Sequence, residues 1–417
     1  MVEIKFIREN IDLVRQNIKA KGEKVDIDRF MDLDNERRSL IQQRDSIRQE
    51  KKKNAQQVAV LKHTTGDTTD LQQLIQHSKQ LSEKEEAIEN RLSQVELELH
   101  NLLIWIPNLA HPSVPRDKSI IVKEWGNPVQ FEFEPLTADD LCNTLGIVDF
   151  KSGAKVAGTN FPCYRGFGAR LERALINFML DLHTKHGYTE IFTPFVVNRK
   201  SMFNTGQLPK LEEDMYFIEK DDLFLNPTTE VALINMHSGE ILKGENLPIN
   251  YIGYSTSFRR EAGSYGRETK GLKRVHQFNE VELIKFTNPN TSYEELEKMV
   301  QNAEEVLKLL GLTYRVVLLS VQEISFASSK TYDIEVWAPA TKEWLEVSSC
   351  SNCEDFQARR ASIKYRGKTG TQFVHILNGT GVATPRTFVA LVEQYQQKDG
   401  SIKIPPVLLP YLESRIA

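Results

Sequence analysis

Leu74, Leu81, Ile88, Val95 and Leu102 recur at seven-residue intervals. Leu71, Leu92 and Leu99 fill the alternate register, interrupted by Ser78 and Glu85. Upstream, Leu33, Leu40, Ile47 and Leu61 fall on one such series, with Asn54 where a further apolar residue is due. Heptad spacing predicts helices that bury a narrow seam against each other. Between the two series lies TTGDTTD (64–70), whose glycine and capping residues predict a turn. The simplest outcome is an antiparallel helical hairpin, an arm of ~30 residues and ~45 Å at the α-helical rise. Three prolines in IPNLAHPSVP (106–115) end the helical region.

From about residue 111 the pattern changes. LERALINFMLDLHTKHG (171–187) keeps a helical period in Leu171, Leu175, Phe178, Met179 and Leu182. YTEIFTPFVVN (188–198) reads as a strand whose Pro194 predicts an edge or a bend. Further strand-like runs lie at 223–225, 249–260, 275–286, 314–320, 332–337 and 343–350, and helical runs at 230–237, 293–310 and 386–397. Short turns join most of the strands. That predicts a largely antiparallel sheet with flanking helices, an α+β fold, rather than a doubly wound parallel sheet. The expected division is a helical domain at 1–110 and a sheet domain at 111–417.

Composition narrows the function. A chain of 417 residues with a net charge of −4 is not a general nucleic-acid coat, although basic residues clustered locally can still meet a polyanion. Arg44, Arg48, Lys51, Lys52, Lys53 and Lys62 make the first arm helix basic towards its tip, while Glu83, Glu85, Glu86 and Glu89 lie near the middle of the second. Taken alone such an arm is a spacer or a dimerisation coil; its basic helix points to an RNA backbone. No apolar run approaches the ~20 residues of a membrane span. The start, MVEIKFIREN, lacks a signal-peptide core, so a cytoplasmic protein is expected. Cys350 and Cys353 resemble half of a zinc site, but no second pair of ligands accompanies them, and structural cysteines are expected. Gly367-Lys368-Thr369 is not a P-loop, because Ser362 stands where the first glycine is required. Gly166-x-Gly168 and Gly379-x-Gly381 lack the third glycine of a dinucleotide fingerprint.

The candidate chemistry gathers in four stretches. FRREAGSYGRETKG (258–271) is too charged for core and too rich in glycine for a stable helix. Read as part of a hairpin with RVHQFNEVELIKF (274–286), it sets Arg259 and Glu261 on one strand face and Phe278, Glu280 and Glu282 on another. If both faces look into one pocket, the arginine suits a phosphate or carboxylate, the ring a flat base, and Glu282 an ammonium. Arg260 points to the opposite face. Arg267 and Lys270 belong to a basic loop expected to meet nucleic acid. In NGTGVATPRTFVALVEQYQ (378–396), Thr384 is the expected N-cap and Pro385 the first helical residue. Arg386 then sits in the first turn, which the helix dipole disfavours unless an anion binds there. EWLEVSSCSN (343–352) offers Glu346, Ser348 and Ser349 as oxygen ligands of the kind Mg²⁺ takes beside phosphates. NPTTEVAL (226–233) opens a helix with Thr228 and Glu230, short polar groups able to hold a small substrate.

Together these stretches resemble the seryl-tRNA synthetases, class II aminoacyl-tRNA synthetases, over nearly the whole chain. FRREAGSYGRETKGLKRVHQFNEVEL is similar to the family's motif 2 and GTGVATPRTFVALVEQYQ to its motif 3; the helix and strand ending at Pro194 resemble motif 1, which lies at the family's dimer interface. NPTTEVAL resembles the segment usually written Thr-Ala-Glu, and LEVSSCSNCEDFQARR the segment with the metal-binding glutamate. The resemblance implies an antiparallel class II catalytic domain and an arm that reads the long variable arm of tRNA(Ser). It implies ATP and Mg²⁺ as cofactors, L-serine as substrate, and a homodimer without membrane attachment. The implied ATP-binding set is Arg259, Arg260, Glu261, Val275, Phe278, Glu346, Val347, Ser348, Ser349 and Arg386, with Arg260 mainly structural. Glu346 and Ser349 would hold Mg²⁺. Thr228, Thr229, Glu230, Arg259, Glu282, Asn378 and Thr380 would surround serine, and which of them reads its hydroxyl stays open, as does charging of tRNA(Sec). Arg259, Glu282 and Arg386 are the implied catalytic residues. Thr229 stands where the family usually has alanine, Thr384-Pro385 where Val-Gly is more familiar, and VQEISF (321–326) lacks the family's frequent Gly-Asp. Two other classes are compatible with parts of the pattern. A relative that loads a carrier protein would lack the long arm, and a non-catalytic RNA-binding scaffold would not need Arg259, Glu282, Glu346 and Arg386 together.

Overall fold

The structure, a computed structural model, describes residues 1–64, 68–262, 271–368 and 370–412. Arg267 and Lys270 of the expected basic loop, Thr369 and the centre of the 64–70 turn lie outside the described residues. The chain divides into two units, Val2–Ile106 and, with Met1, Pro107 onward.

The first unit holds four helices, α1 (Ile4–Glu9), α2 (Ile11–Ala20), α3 (Ile27–Thr64) and α4 (Thr68–Leu103). Helices α3 and α4 form the expected hairpin, and α4 already begins at Thr68, inside the stretch read as a turn. Leu33, Leu81, Leu92, Val95 and Leu99 are buried in its seam. Pairs Arg29–Glu98, Arg37–Glu96, Arg91–Glu36 and Arg48–Glu85 run in opposite order along the two helices, which fixes their antiparallel register. Part of the basic surface is therefore occupied: Arg48 bonds Glu85 and Glu89, and Lys51 bonds Glu85. Lys52, Lys53 and Lys62 are exposed. Asn54, the break in the heptad series, is buried, and its Nδ2 donates to Leu74 O across the hairpin at 2.9 Å.

The second unit is built on an eight-stranded sheet. Its strands are β1 (Ile120–Trp125), β2 (Thr189–Ile191), β3 (Ile249–Phe258), β4 (Gln277–Thr287), β5 (Tyr314–Leu318), β6 (Lys330–Ala338), β7 (Glu343–Asn352) and β8 (His375–Ala383). They lie in the order β1-β5-β6-β7-β8-β4-β3-β2, antiparallel throughout except for β2, which runs parallel to β3 at the edge. Helices α5 (Phe167–Lys185), α7 (Ser292–Leu310) and α9 (Thr384–Tyr395) cover one face with a single apolar cluster; two shorter helices, α6 (Thr229–Asn235) and α8 (Phe356–Ala361), belong to the other side. The α+β expectation holds. The run 188–198 is not one strand: it splits at Pro194 into β2 and a separate strand, Val196–Asn198, that joins a small three-stranded sheet. Thr384 is not the N-cap of α9, whose N-cap is Ala383; the Thr384 hydroxyl bonds Asn279 O and Glu172 instead.

Strand β4 organises the site because both its faces are buried. Val281 and Leu283 enter the helix-covered cluster, while Ile284 and Phe286 enter a second cluster with Leu233 and Ile234 of α6. Phe278, Glu280 and Glu282 share the face of Ile284, so the polar half of that face opens as a site where the apolar half closes as core. Gly253 on β3 lets α6 approach: a Cβ there would meet Thr229 Cγ2 at 3.0 Å and Ile191 O at 3.1 Å.

Asn54 makes one cross-helix bond yet leaves its Oδ1 buried with no hydrogen-bond partner. Replacing it with leucine restores the apolar seam and removes the orphaned acceptor, a gain of about 1–2 kcal/mol. Asn54→Leu is therefore expected to slow amide hydrogen exchange in the flanking turns of α3 and α4. Faster exchange would mean that the bond to Leu74 outweighs the seam.

Candidate active site

A cleft in the second unit is lined by Arg259, Glu261, Val275 and Phe278 on one side and by Glu346, Ser349, Thr380 and Arg386 on the other. Three local distortions bring these residues together. Strand β3 ends at Phe258, so plain alternation does not govern Arg259 and Glu261. Arg259 N donates to His276 O, and Glu261 takes φ 55°, a left-handed conformation uncommon outside glycine. That turn carries Glu261 back into the cleft, where Arg274 Nε donates to it at 2.7 Å. The shared position was expected; its cause is a turn rather than the strand pleat.

The second distortion is in β7. Glu346 pairs with Glu335 and Ser348 with Ile334, which leaves Val347 as an extra residue, a β-bulge. Glu346 and Ser349, three apart, would face opposite sides of a regular strand. The bulge sets both on the cleft face and turns Ser348 away, where its hydroxyl bonds Thr380 O and Cys350 Sγ. The third is in β8: Glu280 pairs with Ala383 but Glu282 with Thr380, so Thr380 and Asn378 align with Glu282 and Ile284 on the site face.

Three of the expected site residues lie elsewhere. Arg260 Nε donates to Met215 O at 3.0 Å and its guanidinium lies 4.8 Å from the Tyr216 ring, outside the cleft. Thr229 directs its hydroxyl to Ser255 at 2.6 Å, beneath the site; only its backbone N–H serves the site, donating to Glu280 Oε1 at 2.9 Å. Ser348 is excluded by the bulge. In each case the neighbouring strand or turn decided the direction of the side chain. Glu280, buried between Thr229 N and the Ser257 hydroxyl, is a member that sequence reasoning placed on the right face but did not count. Lys273 and Arg274 also line the cleft, and only their spacing before β4 could have marked them.

The electrostatics divide the site into two ends. At one, Arg259 lies 5.0 Å over the Phe278 ring and bonds Pro227 O. Arg386 donates through Nε to Lys273 O and through Nη1 to Glu346 O, with Glu346 Oε2 at 3.4 Å; this ion pair is half-exposed and weak. At the other end, half-buried Glu230 and buried Glu282 lie close to Glu280. Burial pushes the Glu282 carboxyl well above its ordinary range, the charges of Glu280 and Glu230 push it further, and the Thr380 hydroxyl and Arg259 pull it back. Glu230 is raised to about 7, again by burial first. Its Oε1 accepts from Gln357 Nε2 and Asn378 Nδ2. Thr228, N-cap of α6, accepts from Glu230 N at 3.2 Å. Behind Glu346 and Ser349, Asp333 is raised to about 8 by burial and by Glu346, and its Oδ1 is buried with no hydrogen-bond partner. Cys350, on the helix-covered face of β7, has its thiol pushed up to about 12 by burial. Cys353 Sγ accepts from Asn378 at 3.4 Å. No group of three or more His, Cys, Asp or Glu arranged to hold a metal occurs among the described residues.

Comparisons with known proteins agree with this geometry. The family model described as the seryl-tRNA synthetase N-terminal domain matches residues 1–110, and that of the class II tRNA synthetase core domain (G, H, P, S and T) matches residues 213–395. The serine–tRNA ligase of Thermoanaerobacter pseudethanolicus is 52% identical over 99% of both chains. Among solved structures, the seryl-tRNA synthetase from Pyrococcus horikoshii complexed with ATP superposes with a TM-score of 0.94 at 34% identity, covering 99% of this chain and 98% of its own. The cytoplasmic serine–tRNA ligase from Naegleria fowleri in complex with AMP gives 0.87 at 31% identity, covering 99% and 97%. Half of the residues are identical from end to end, and both the arm and the sheet match in kind: the chain belongs to the seryl-tRNA synthetase family.

Proposed function

We infer that the chain is an ATP-dependent serine–tRNA ligase that works through the cleft between β4, β7 and β8. The observation that carries the assignment of residues is the division of one site into an arginine end and a buried carboxylate end. A zwitterionic amino acid carries one charge suited to each end, and a nucleoside triphosphate supplies the anion for the arginines. The serine carboxylate attacks the α-phosphorus of ATP, a P–O bond forms, pyrophosphate leaves, and seryl-adenylate remains. The 3′ ribose hydroxyl of tRNA(Ser) then attacks the seryl carbonyl and AMP leaves.

In this reading Arg259 spans the α-phosphate and the serine carboxylate with its parallel N–H groups. Phe278 stacks on adenine, whose edge Glu261 and the Val275 backbone meet. Arg386 takes the γ-phosphate at the start of α9, where the helix dipole also favours an anion. Glu282, with Glu230, Thr228, Asn378 and Thr380, surrounds the serine ammonium and hydroxyl. Glu346 and Ser349 suit Mg²⁺: both are oxygen donors on one face, they leave coordination positions for phosphate oxygens and water, and Asp333 holds an orphaned buried oxygen behind them. Bound there, the ion would neutralise phosphate charge. A site of this type needs no side-chain nucleophile, since positioning and charge neutralisation carry adenylate formation. Residues 1–110 would act as the tRNA-binding domain, through the exposed Lys52, Lys53 and Lys62, and 111–417 as the catalytic domain, whose Arg267 and Lys270 would meet the tRNA acceptor end. A homodimer is supported by Phe192, 79% exposed at the edge strand β2 beside Pro194. No helix among the described residues is long and apolar enough to cross a membrane.

Arg259→Ala should lower serine-dependent ATP–pyrophosphate exchange by at least ~10²–10³ while leaving the far-ultraviolet circular dichroism unchanged; exchange near the wild-type rate would refute the site. Deleting residues 33–100 should spare adenylate formation and abolish tRNA charging, and normal charging by the shortened chain would remove the arm from tRNA recognition. The raised carboxyls give a third expectation. An acid raised to about 7, as Glu230 is, still holds its proton below that pH, and the proton must leave before the carboxylate can accept from serine. Serine affinity should therefore climb with pH from 6 to 8, by up to about tenfold per unit for each proton released. Calorimetric titration across that range measures it, and a flat or falling affinity would contradict the pairing.

A further inference from the structure

Glu230 is held by amides from three separate parts of the chain. Gln357 Nε2 donates to its Oε1 at 2.6 Å and to Thr205 O at 2.9 Å. Asn378 Nδ2 donates to the same oxygen at 2.9 Å, whereas Oε2 receives only Gln207 Nε2 at 3.4 Å. Gln357 is 1% exposed and does not line the cleft. Two acceptors, a carboxylate and a peptide carbonyl, flank its nitrogen, which fixes the end of the amide that faces Glu230. The opposite end, Oε1, is buried with no hydrogen-bond partner. A residue serving only to fill space would not carry that cost, because an apolar side chain of the same volume avoids it.

The same helix also holds the segment that presents Gln207. Arg360 of α8 donates through Nη1 to Phe203 O at 3.0 Å and to Leu208 O at 3.1 Å. Its guanidinium sits 4.7 Å from the Phe203 ring and 4.8 Å from that of Phe356. Helix α8 therefore sets two of the three donors around Glu230, one directly and one through residues 203–208. With all its neighbours donating, Glu230 is arranged as an acceptor. Its well-bonded Oε1 is committed to protein, and Oε2 is the oxygen with capacity left.

We propose that Gln357 is a positioning and specificity-determining residue for the amino acid: it anchors Glu230 through Oε1 so that Oε2 accepts the hydroxyl proton of serine. This rests on the assignment of Glu230 to the serine side of the site. A fixed buried acceptor rejects an amino acid that lacks the hydroxyl, because the acceptor is then left unpaired; an acceptor free to turn finds another partner and discriminates less.

The test is pyrophosphate exchange by the full chain with serine and with alanine. Gln357→Leu keeps the volume and removes the donor. It should raise KM for serine by ~10–100-fold and reduce the preference for serine over alanine, while KM for ATP stays within about twofold. In Gln357→Glu the new acid donates to Glu230 only while protonated. Its use of serine should be best near pH 6 and fall towards pH 8, opposite to the wild-type trend. An unchanged KM for serine in Gln357→Leu, a wild-type pH profile in Gln357→Glu, or parallel losses for serine, ATP and thermal midpoint would each overturn the proposal. Glu230→Gln separates the two levels: if it leaves serine KM and discrimination intact, the assignment of Glu230 fails. If it impairs them while Gln357→Leu does not, only the positioning role of Gln357 fails.

Discussion

Three carboxylates lie near one another where β4 meets α6: Glu280 and Glu282, both buried, and Glu230, half-buried. Taking charges out of water is expensive, and placing like charges together adds to the cost. Much of the architecture around them reads as compensation. Thr229 N and the Ser257 hydroxyl donate to Glu280, Gln357 and Asn378 donate to Glu230, and Thr380 donates to Glu282. Arg259 is the cation whose field reaches Glu230 and Glu282. What these donors leave uncompensated shows in the Glu230 and Glu282 carboxyls, both raised above their ordinary range by burial first.

Around these carboxyls the sheet acts as a frame with two closed faces and one opening. Helices α5, α7 and α9 seal one side, and two departures from strand regularity shape the other. The bulge at Val347 lets a single strand send Glu346 and Ser349 to the same side while Leu345, Ser348 and Cys350 stay with the core. The irregularity in β8 does the same for Thr380 and Asn378 opposite Glu282 and Ile284. Glu172 of α5 joins the frame to the site: it accepts from Asn279 Nδ2 on β4 at 2.8 Å and from the Thr384 hydroxyl at the start of α9. The helix that carries Arg386 and the strand that carries Phe278 are thereby held to one buried carboxylate, itself raised by burial.

The arm illustrates the opposite economy. Its seam is local in sequence and simple in pattern, and its cross-helix ion pairs lie on exposed surface where each contributes little. Asn54 in the seam adds one bond across the hairpin, to Leu74 O. The same ion pairs occupy Arg48 and Lys51, so the charge available to a polyanion is smaller than the count of basic residues suggests.

Much of this was legible in the order of residues. Heptads pointed to two helices and made a hairpin the simplest outcome, because apolar residues at that spacing leave water by packing against another helix. Short turns between strand-like runs pointed to an antiparallel sheet, and Arg386 in the first turn of a helix marked a candidate anion site without any coordinates. What the sequence could not determine is which way a side chain points once a strand bulges or a turn goes left-handed. Arg260, Thr229 and Ser348 sit beside site residues in sequence and away from them in space, because pairing with a neighbouring strand or loop sets their direction. Gln357 and Gln207 were invisible for the same reason: they bond Glu230, more than a hundred residues away for Gln357, and only the apolar cluster that takes in both α8 and α6 brings the amide to the carboxylate.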